Sequence, residues 1–386
     1  MNWSHHHHLA YCTNVHPAES WSATLEVLQQ EVLAVRDRLV DEGHCQGRFA
    51  IGLRLSAQAA EELLEGDRLE NFAEWLESVH SYVFTINGFP YGDFHGTRVK
   101  EKVYQPDWAT TERLHYTKQL FKIIARLAPS DCGGSISTLP GSFKEFGADE
   151  EAIFTNLEDC AEFIAELSQE RGKDLHLGLE PEPLGHFENT EETLNFFERF
   201  FAVVKDRELM RKHVGLNYDC CHFAIEFDEC RPSLEALREA GIRISKVHLS
   251  SALAFNPNDV ESLDSLRRFD EPTYLHQVIV KDASGLQRAR DLPEFYQNLD
   301  SGSWLFDAQA DARCHFHVPL YAEAASPLGT TQGYVREMLK YREEFPEFCN
   351  HFEIETYTWG VLPSEIQTDL TNQIVREFQW VLTTGA

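Results

Sequence analysis

In the stretch LNYDCCHFAIEF (Leu216–Phe227) an acid, Asp219, and a histidine, His222, stand three residues apart among apolar neighbours. An unpaired charge in such surroundings costs several kcal/mol. The pair is therefore either a hydrogen-bonded core feature or part of a metal centre. Other polar residues end apolar runs in the same way: His16 in NVHP, Asn87 in TING, Ser137 in SIST, Glu180 and Glu182 in LEPEP, His248 in KVHLSS and Glu355 in IETYTW. Two glutamates, an aspartate and a histidine make an oxygen–nitrogen donor set suited to Mn²⁺, Mg²⁺, Co²⁺ or Zn²⁺. Each residue alone has a plainer reading: His16 as a structural histidine, Glu182 as a helix cap, Asp219 as a loop acid. Burying Glu180, Asp219, His248 and Glu355 together without a cation would be electrostatically costly, so the set is far more specific than its members.

The elements that must position these residues follow from hydrophobic periodicity. Short apolar runs (LAYCTNVH, FAIGLRLS, YVFTING, GSISTLPG, LHLGLEPEP, HVGLNYD, ISKVHLSS, CHFHVPLY and HFEIETYTW) alternate with amphipathic stretches. The helical spacing predicts a first helix in SATLEVLQQEVLAVRDRLVDEG, capped by Ser22 and ended by Gly43. Others are expected over Asn71 to His80, Thr111 to Leu127, Glu150 to Arg171, Thr190 to Val204 and Pro363 to Leu382. Strand and helix in alternation predict βαβ units and a parallel sheet, and the length suits one (β/α)8 barrel domain over residues 1–386. Nine strand-like runs for eight places leave one surplus. It is expected within an insertion at about 252–321, read as an elaborated loop after strand seven with a hairpin around Asp282 to Gly285. There CHFHVPLY is an edge strand or return segment. In such a barrel the strand ends converge on one site, and strand middles are expected to fill the interior with apolar side chains.

Composition narrows the partners. With 63 acids against 34 bases the formal charge is −29, which disfavours nucleic acid and anionic lipid, because phosphate binding relies on Lys and Arg. A small neutral or metal-bridged substrate fits better. The nine cysteines are scattered without a CxxC pair and read as free thiols of a cytoplasmic protein. No signal-peptide core or long apolar run is present, so no membrane insertion is expected. His5 to His8 read as a tag-like or native surface tract without catalytic weight.

The segments LEPEP, DCCH, KVHLSS and FEIETY resemble the xylose isomerase-like TIM barrels, a superfamily of sugar isomerases, epimerases and endonuclease IV-type enzymes. The match covers the second half of the chain well and the first half only by alternation. It implies Glu180, Asp219, His248 and Glu355 as ligands of a divalent metal, with His222 as the histidine three residues after the aspartate. YCTNVHPAESW, HFHVPL and EIETYTW are similar to the EboE family of metabolite traffic proteins, which implies secondary-metabolite precursor processing or traffic, with partners in a metabolite-export pathway. The implied chemistry is isomerisation or epimerisation of a sugar, cyclitol or sugar phosphate through a metal-stabilised enediolate. Glu180 and Glu355 would act as the acid/base pair; His222, His317 and His16 would contact a polyhydroxylated substrate, walled by Phe89, Tyr357 and Trp359. A three-metal endonuclease pattern looks incomplete, since Asn87 and Ser137 stand where histidines belong and His315-Phe316-His317 replaces Asp-x-His. A metal-dependent phosphoester hydrolase and a non-catalytic binding component are the alternatives.

Overall fold

The computed structural model describes residues 1–3, 6–92, 99–322, 327–361 and 369–385. Seven strands come first: β1 (His8–Tyr11), β2 (Phe49–Arg54), β3 (Ser81–Asn87), β4 (Gly134–Thr138), β5 (Leu175–Leu179), β6 (Val214–Asp219) and β7 (Ile244–Leu249). Five short strands follow: β8 (Leu253–Phe255), β9 (Val278–Asp282), β10 (Gly285–Ala289), β11 (Asp311–Cys314) and β12 (Gly329–Thr330); β13 (His351–Ile354) is last. The first seven and β13 form one parallel sheet in the order β1-β13-β7-β6-β5-β4-β3-β2. A parallel bridge between Cys12 and Gly52 joins its two ends. With helices between the strands, this is the expected (β/α)8 barrel.

The helices Thr111–Leu127 and Glu150–Arg171 have the predicted bounds. Asp149 caps the second by accepting from Glu151 N, and Gly172 ends it at φ 62°. Other predicted bounds shift: Asn71 to His80 is Arg68–Ser78, and the closing helix is Leu370–Thr384. Its predicted start at Pro363 lies outside the described residues. The first helix begins earlier than its predicted cap. Ser20, not Ser22, accepts from Ala23 N at 3.2 Å, while Ser22 Oγ lies 3.0 Å from Ser20 Oγ. A π-helical stretch, Leu28–Val32, interrupts it before Gly43 turns the chain at φ 78°.

The histidine tract is only partly a surface feature, with His6 exposed. His7 and His8 are buried, and His8 opens β1 in register with His351; His5 lies outside the described residues. Pairing with β13 draws this segment into the sheet.

Between β7 and β13 the chain forms a second, antiparallel sheet in the order β10-β9-β11-β8-β12. Asp282 pairs with Gly285 across a two-residue turn, as expected for a hairpin there, and Asp282 Oδ1 accepts from Ser284 N at 2.8 Å. CHFHVPLY is not an edge strand but a return segment: only Cys314 is in a strand, and Val318 N donates to Ser251 O at 2.8 Å as the chain runs back past the end of β7. Cys314 ends β11, which lies between β9 and β8 and bonds to both, because Ala312 and Cys314 are buried on the sheet. The sheet also runs past Tyr321 to Thr330. No described helix is long and apolar enough to cross a membrane.

Candidate functional site

Strand register brings the chemistry together. On β7, His248 pairs with Asp219 of β6 on one side and with Glu353 of β13 on the other. Glu180 and Glu355 lie just beyond β5 and β13. His248 Nδ1 lies 3.2 Å from Glu180 Oε1, 3.4 Å from Asp219 Oδ2 and 3.1 Å from Glu355 Oε2. One imidazole N–H cannot serve three carboxylates, so this point suits a cation.

Each carboxylate has one oxygen tied down and the other directed at that point. Glu180 Oε2 accepts from Asn217 Nδ2 at 2.7 Å. Glu355 Oε1 accepts from Asn14 Nδ2 at 2.8 Å and from Asn87 Nδ2 at 3.2 Å. Asp219 Oδ1 accepts from His222 N at 3.0 Å and Ser250 Oγ at 2.6 Å, while its Oδ2 accepts no hydrogen bond. The donors Glu180, Asp219, His248 and Glu355 all approach within 4.8 Å of one another and are buried. Donor chemistry, convergence and the bare Asp219 oxygen all fit a divalent cation.

Beneath this layer the barrel interior is charged. Lys246 Nζ donates to Glu353 Oε2 at 2.7 Å and to Ser137 Oγ at 2.8 Å; His248 Nε2 donates to the same Glu353 oxygen at 2.9 Å. The expectation of an apolar strand-middle layer therefore fails here, because these charges neutralise one another in place of apolar packing. Room for Glu353 comes from Gly52: a Cβ there would sit 1.9 Å from Glu353 Oε1.

The charges set the protonation. Burial disfavours a charged Asp219, yet His222, His248 and His317 hold it well below the usual carboxylate range. Burial likewise opposes a charged His248, but Glu355 and Glu180 push it well above the ordinary histidine value. His222 is raised against burial by Asp219 first, then Glu182. Burial, with Glu180 adding, pushes Glu182 up to about 8. Glu353 is held at about 2 by Lys246 and His248 in spite of burial.

The insertion supplies the other wall. His222, His315 and His317 form a cluster, with ring centroids 4.8 Å (His222–His315), 5.6 Å (His222–His317) and 5.5 Å (His315–His317) apart. His222 Nδ1 is 2.9 Å from Pro181 O, His315 Nδ1 2.7 Å from Gln277 Oε1 and His317 Nδ1 2.8 Å from Glu355 O. The Nε2 atoms of His315 and His317 are buried without a hydrogen bond. Burial, then His222 and His317, hold His315 well below the ordinary value. A cleft of about 590 Å³, mouth included, opens over Glu180, Glu182, His222, His315 and Glu355, with Phe89, Tyr104, Tyr274 and Tyr357 as aromatic walls.

The expected residues thus divide. Glu180, Asp219, His248, Glu355 and His222 meet at one place, and His317 adjoins them. His16 is held elsewhere, its Nε2 3.0 Å from Tyr11 OH, and does not line the cleft. Phe89 and Tyr357 line it; Trp359 packs in the core. Asn87 and Ser137 serve the site as hydrogen-bond partners of Glu355 and Lys246. Asn14, Asn217, Lys246, Ser250 and Glu353 were not anticipated. Asn217, Lys246 and Glu353 each precede a site residue by two positions on its strand, so each shares its inward face. A polar residue at that spacing was the available signal.

No family model matches the chain, and no curated protein matches it in sequence. Among solved structures, the probable 3-DHS dehydratase AsbF involved in petrobactin synthesis from Bacillus anthracis is similar at 13% identity and TM-score 0.48, covering 97% of this chain and 98% of that one. The IolI protein, solved with a binding zinc atom, is similar at 14% identity and TM-score 0.47, covering 98% and 97%. A xylose isomerase domain-containing protein from Salmonella typhimurium is similar at 12% identity and TM-score 0.45, covering 100% and 99%.

Proposed function

We propose that this protein is a metal-dependent isomerase or epimerase of a small polyhydroxylated substrate, a sugar, cyclitol or sugar phosphate. The observation that carries the reading is the convergence of three carboxylates on His248 Nδ1, each with its other oxygen anchored. Glu180, Asp219, His248 and Glu355 would hold Mn²⁺, Co²⁺, Mg²⁺ or Zn²⁺. When bound, the ion supplies Lewis acidity to the carbonyl and neighbouring hydroxyl oxygens of a substrate. Glu180 and Glu355 reach His248 from opposite flanks of β7, which suits one carboxylate to take a proton from the carbon beside the carbonyl and the other to return it. Asn217 and Asn14 keep these two carboxylates oriented. His222 and His317 are placed to meet substrate oxygens, and the aromatic walls to exclude water and pack on a sugar face.

Elemental analysis of the purified protein tests this directly. About one equivalent of divalent metal, lost in Asp219→Asn with the barrel still folded, is the expected result; unchanged metal content in the variant would remove Asp219 from the site. Exchange of a bound substrate's carbon-bound proton with solvent then separates catalysis from binding alone. Metal and ligand uptake without exchange would fit a traffic component like the EboE family, working with export partners in the cytoplasm.

The bare Nε2 atoms of His315 and His317 beside His222 favour a second reading, a phosphoester hydrolase with more than one metal. Two or three equivalents of metal, with cleavage of a simple phosphodiester, would establish it in place of the first.

A further inference from the structure

A histidine that binds a cation must present one nitrogen and keep the other occupied, or the ring is free to turn about its bond to Cβ. In His248 both nitrogens are accounted for. Nδ1 faces the three carboxylates and lies 3.1 Å from Asn217 Nδ2, and Nε2 donates to Glu353 Oε2 at 2.9 Å. That same oxygen accepts from Lys246 Nζ at 2.7 Å, and Lys246 is steadied in turn by Ser137 Oγ at 2.8 Å. Lys246, His248 and Glu353 are all completely buried.

Such a pair is a poor device for stability. Desolvating an ammonium and a carboxylate offsets much of their attraction, and an apolar pair of similar volume is often as stable. The surrounding fold nevertheless gives up a side chain to keep it, since a Cβ on Gly52 would overlap Glu353 Oε1. Register supports a specific role: Glu353 is the cross-strand partner of His248, and Lys246 shares its inward face two residues earlier.

We propose that Glu353 is a positioning residue that locks the His248 ring by accepting from Nε2, with Lys246 offsetting the buried charge of Glu353, leaving Nδ1 committed to the cation. This rests on the metal reading above for its purpose, but the ring lock itself is a property of the metal-free chain. A single substitution would leave one charge buried alone and could unfold the barrel, so the test compares two double variants. Lys246→Met with Glu353→Leu removes the acceptor; Lys246→Met with Glu353→Gln removes the charges and retains one.

In metal-free protein labelled with ¹⁵N-histidine, a slowly exchanging Nε2–H resonance of His248 is expected in the wild type and the Gln variant and not in the Leu variant. In a cobalt titration the Leu variant is expected to bind about 10–100-fold more weakly than the Gln variant, at similar melting temperature. Purely structural residues would change both variants alike. Equal resonances or equal cobalt affinities in the two would overturn the proposal. A wild type that takes up no cobalt would sink the metal reading instead, and the resonance comparison would still decide the lock.

Discussion

The two ends of this barrel are both built around buried histidines, and they hold them in opposite states. At the mouth, His248 and His222 face carboxylates and are raised above the ordinary value, against the pull of burial. At the base, burial pushes His351 down to about 3, His8 to about 4 and His176 well below the ordinary value. The base partners are neutral: His351 Nδ1 lies 2.8 Å from Ser135 Oγ, and His8 Nδ1 2.7 Å from Tyr82 OH. The same side chain is thus a charge carrier or an uncharged filler according to what faces it. One strand shows the contrast, since His351 and Glu353 on β13 and Glu355 just beyond it follow at intervals of two, from base through middle to mouth.

The sharpest way to break this contrast is at the mouth. Replacing either carboxylate of the proposed acid/base pair, as Glu355→Gln or Glu180→Gln, should lower solvent-proton exchange into substrate by about 10²–10⁴-fold, measured by deuterium incorporation. A variant that still exchanges at full rate would remove that residue from the role.

Acid should act mainly on the base. The base histidines are neutral when folded and bind protons readily when unfolded, so the unfolded state gains protons below the ordinary histidine value of 6.5. Their contribution to stability is therefore complete above about pH 6.5 and falls progressively toward pH 4, at about 1.4 kcal/mol per pH unit for each fully responding group. Urea midpoints measured across that range should fall, and less steeply in His351→Gln. A flat profile would mean that these rings are not held neutral.

At the mouth the sign reverses. Metal-free His248 carries a proton that a bound cation must displace, so metal affinity should rise with pH and each binding event release protons. Calorimetry in buffers of different ionisation enthalpy would detect this, and pH-independent affinity would count against His248 as a ligand. The smallest effect is expected midway, where Gly52→Ala forces a Cβ against Glu353 and Tyr11 O. Overpacking of this kind typically costs about 1–3 kcal/mol, to be read as a lowered melting temperature.

Mouth and middle differ equally in how legible they were. Glu180, Asp219, His248 and Glu355 stood out because each closes an apolar run, where polarity has no packing reason. Asn217, Lys246 and Glu353 sit inside those runs and were passed over on the assumption of an apolar barrel filling, although their spacing of two marks them as inward. The insertion was harder for another reason. Its sheet depends on pairing Leu253–Phe255 with Ala312–Cys314, and strands that short and that far apart carry too little periodicity to announce a partner. The first helix starts before Ser22 because the Ser20 hydroxyl, and not that of Ser22, reaches Ala23 N.

Because β13 lies between β1 and β7 in space but after every other strand in sequence, the order of synthesis has a consequence for the centre. A chain still growing through the insertion already has Glu180, Asp219 and His248, but neither Glu355 to complete the donor set nor Glu353 to occupy the far side of the imidazole. The closing pairing joins His351 to His8 across almost the whole polypeptide, a late, non-local event in folding. If the centre takes up the proposed ion, loading in its final geometry waits for ring closure, and metal incorporation would then report on completion of the barrel.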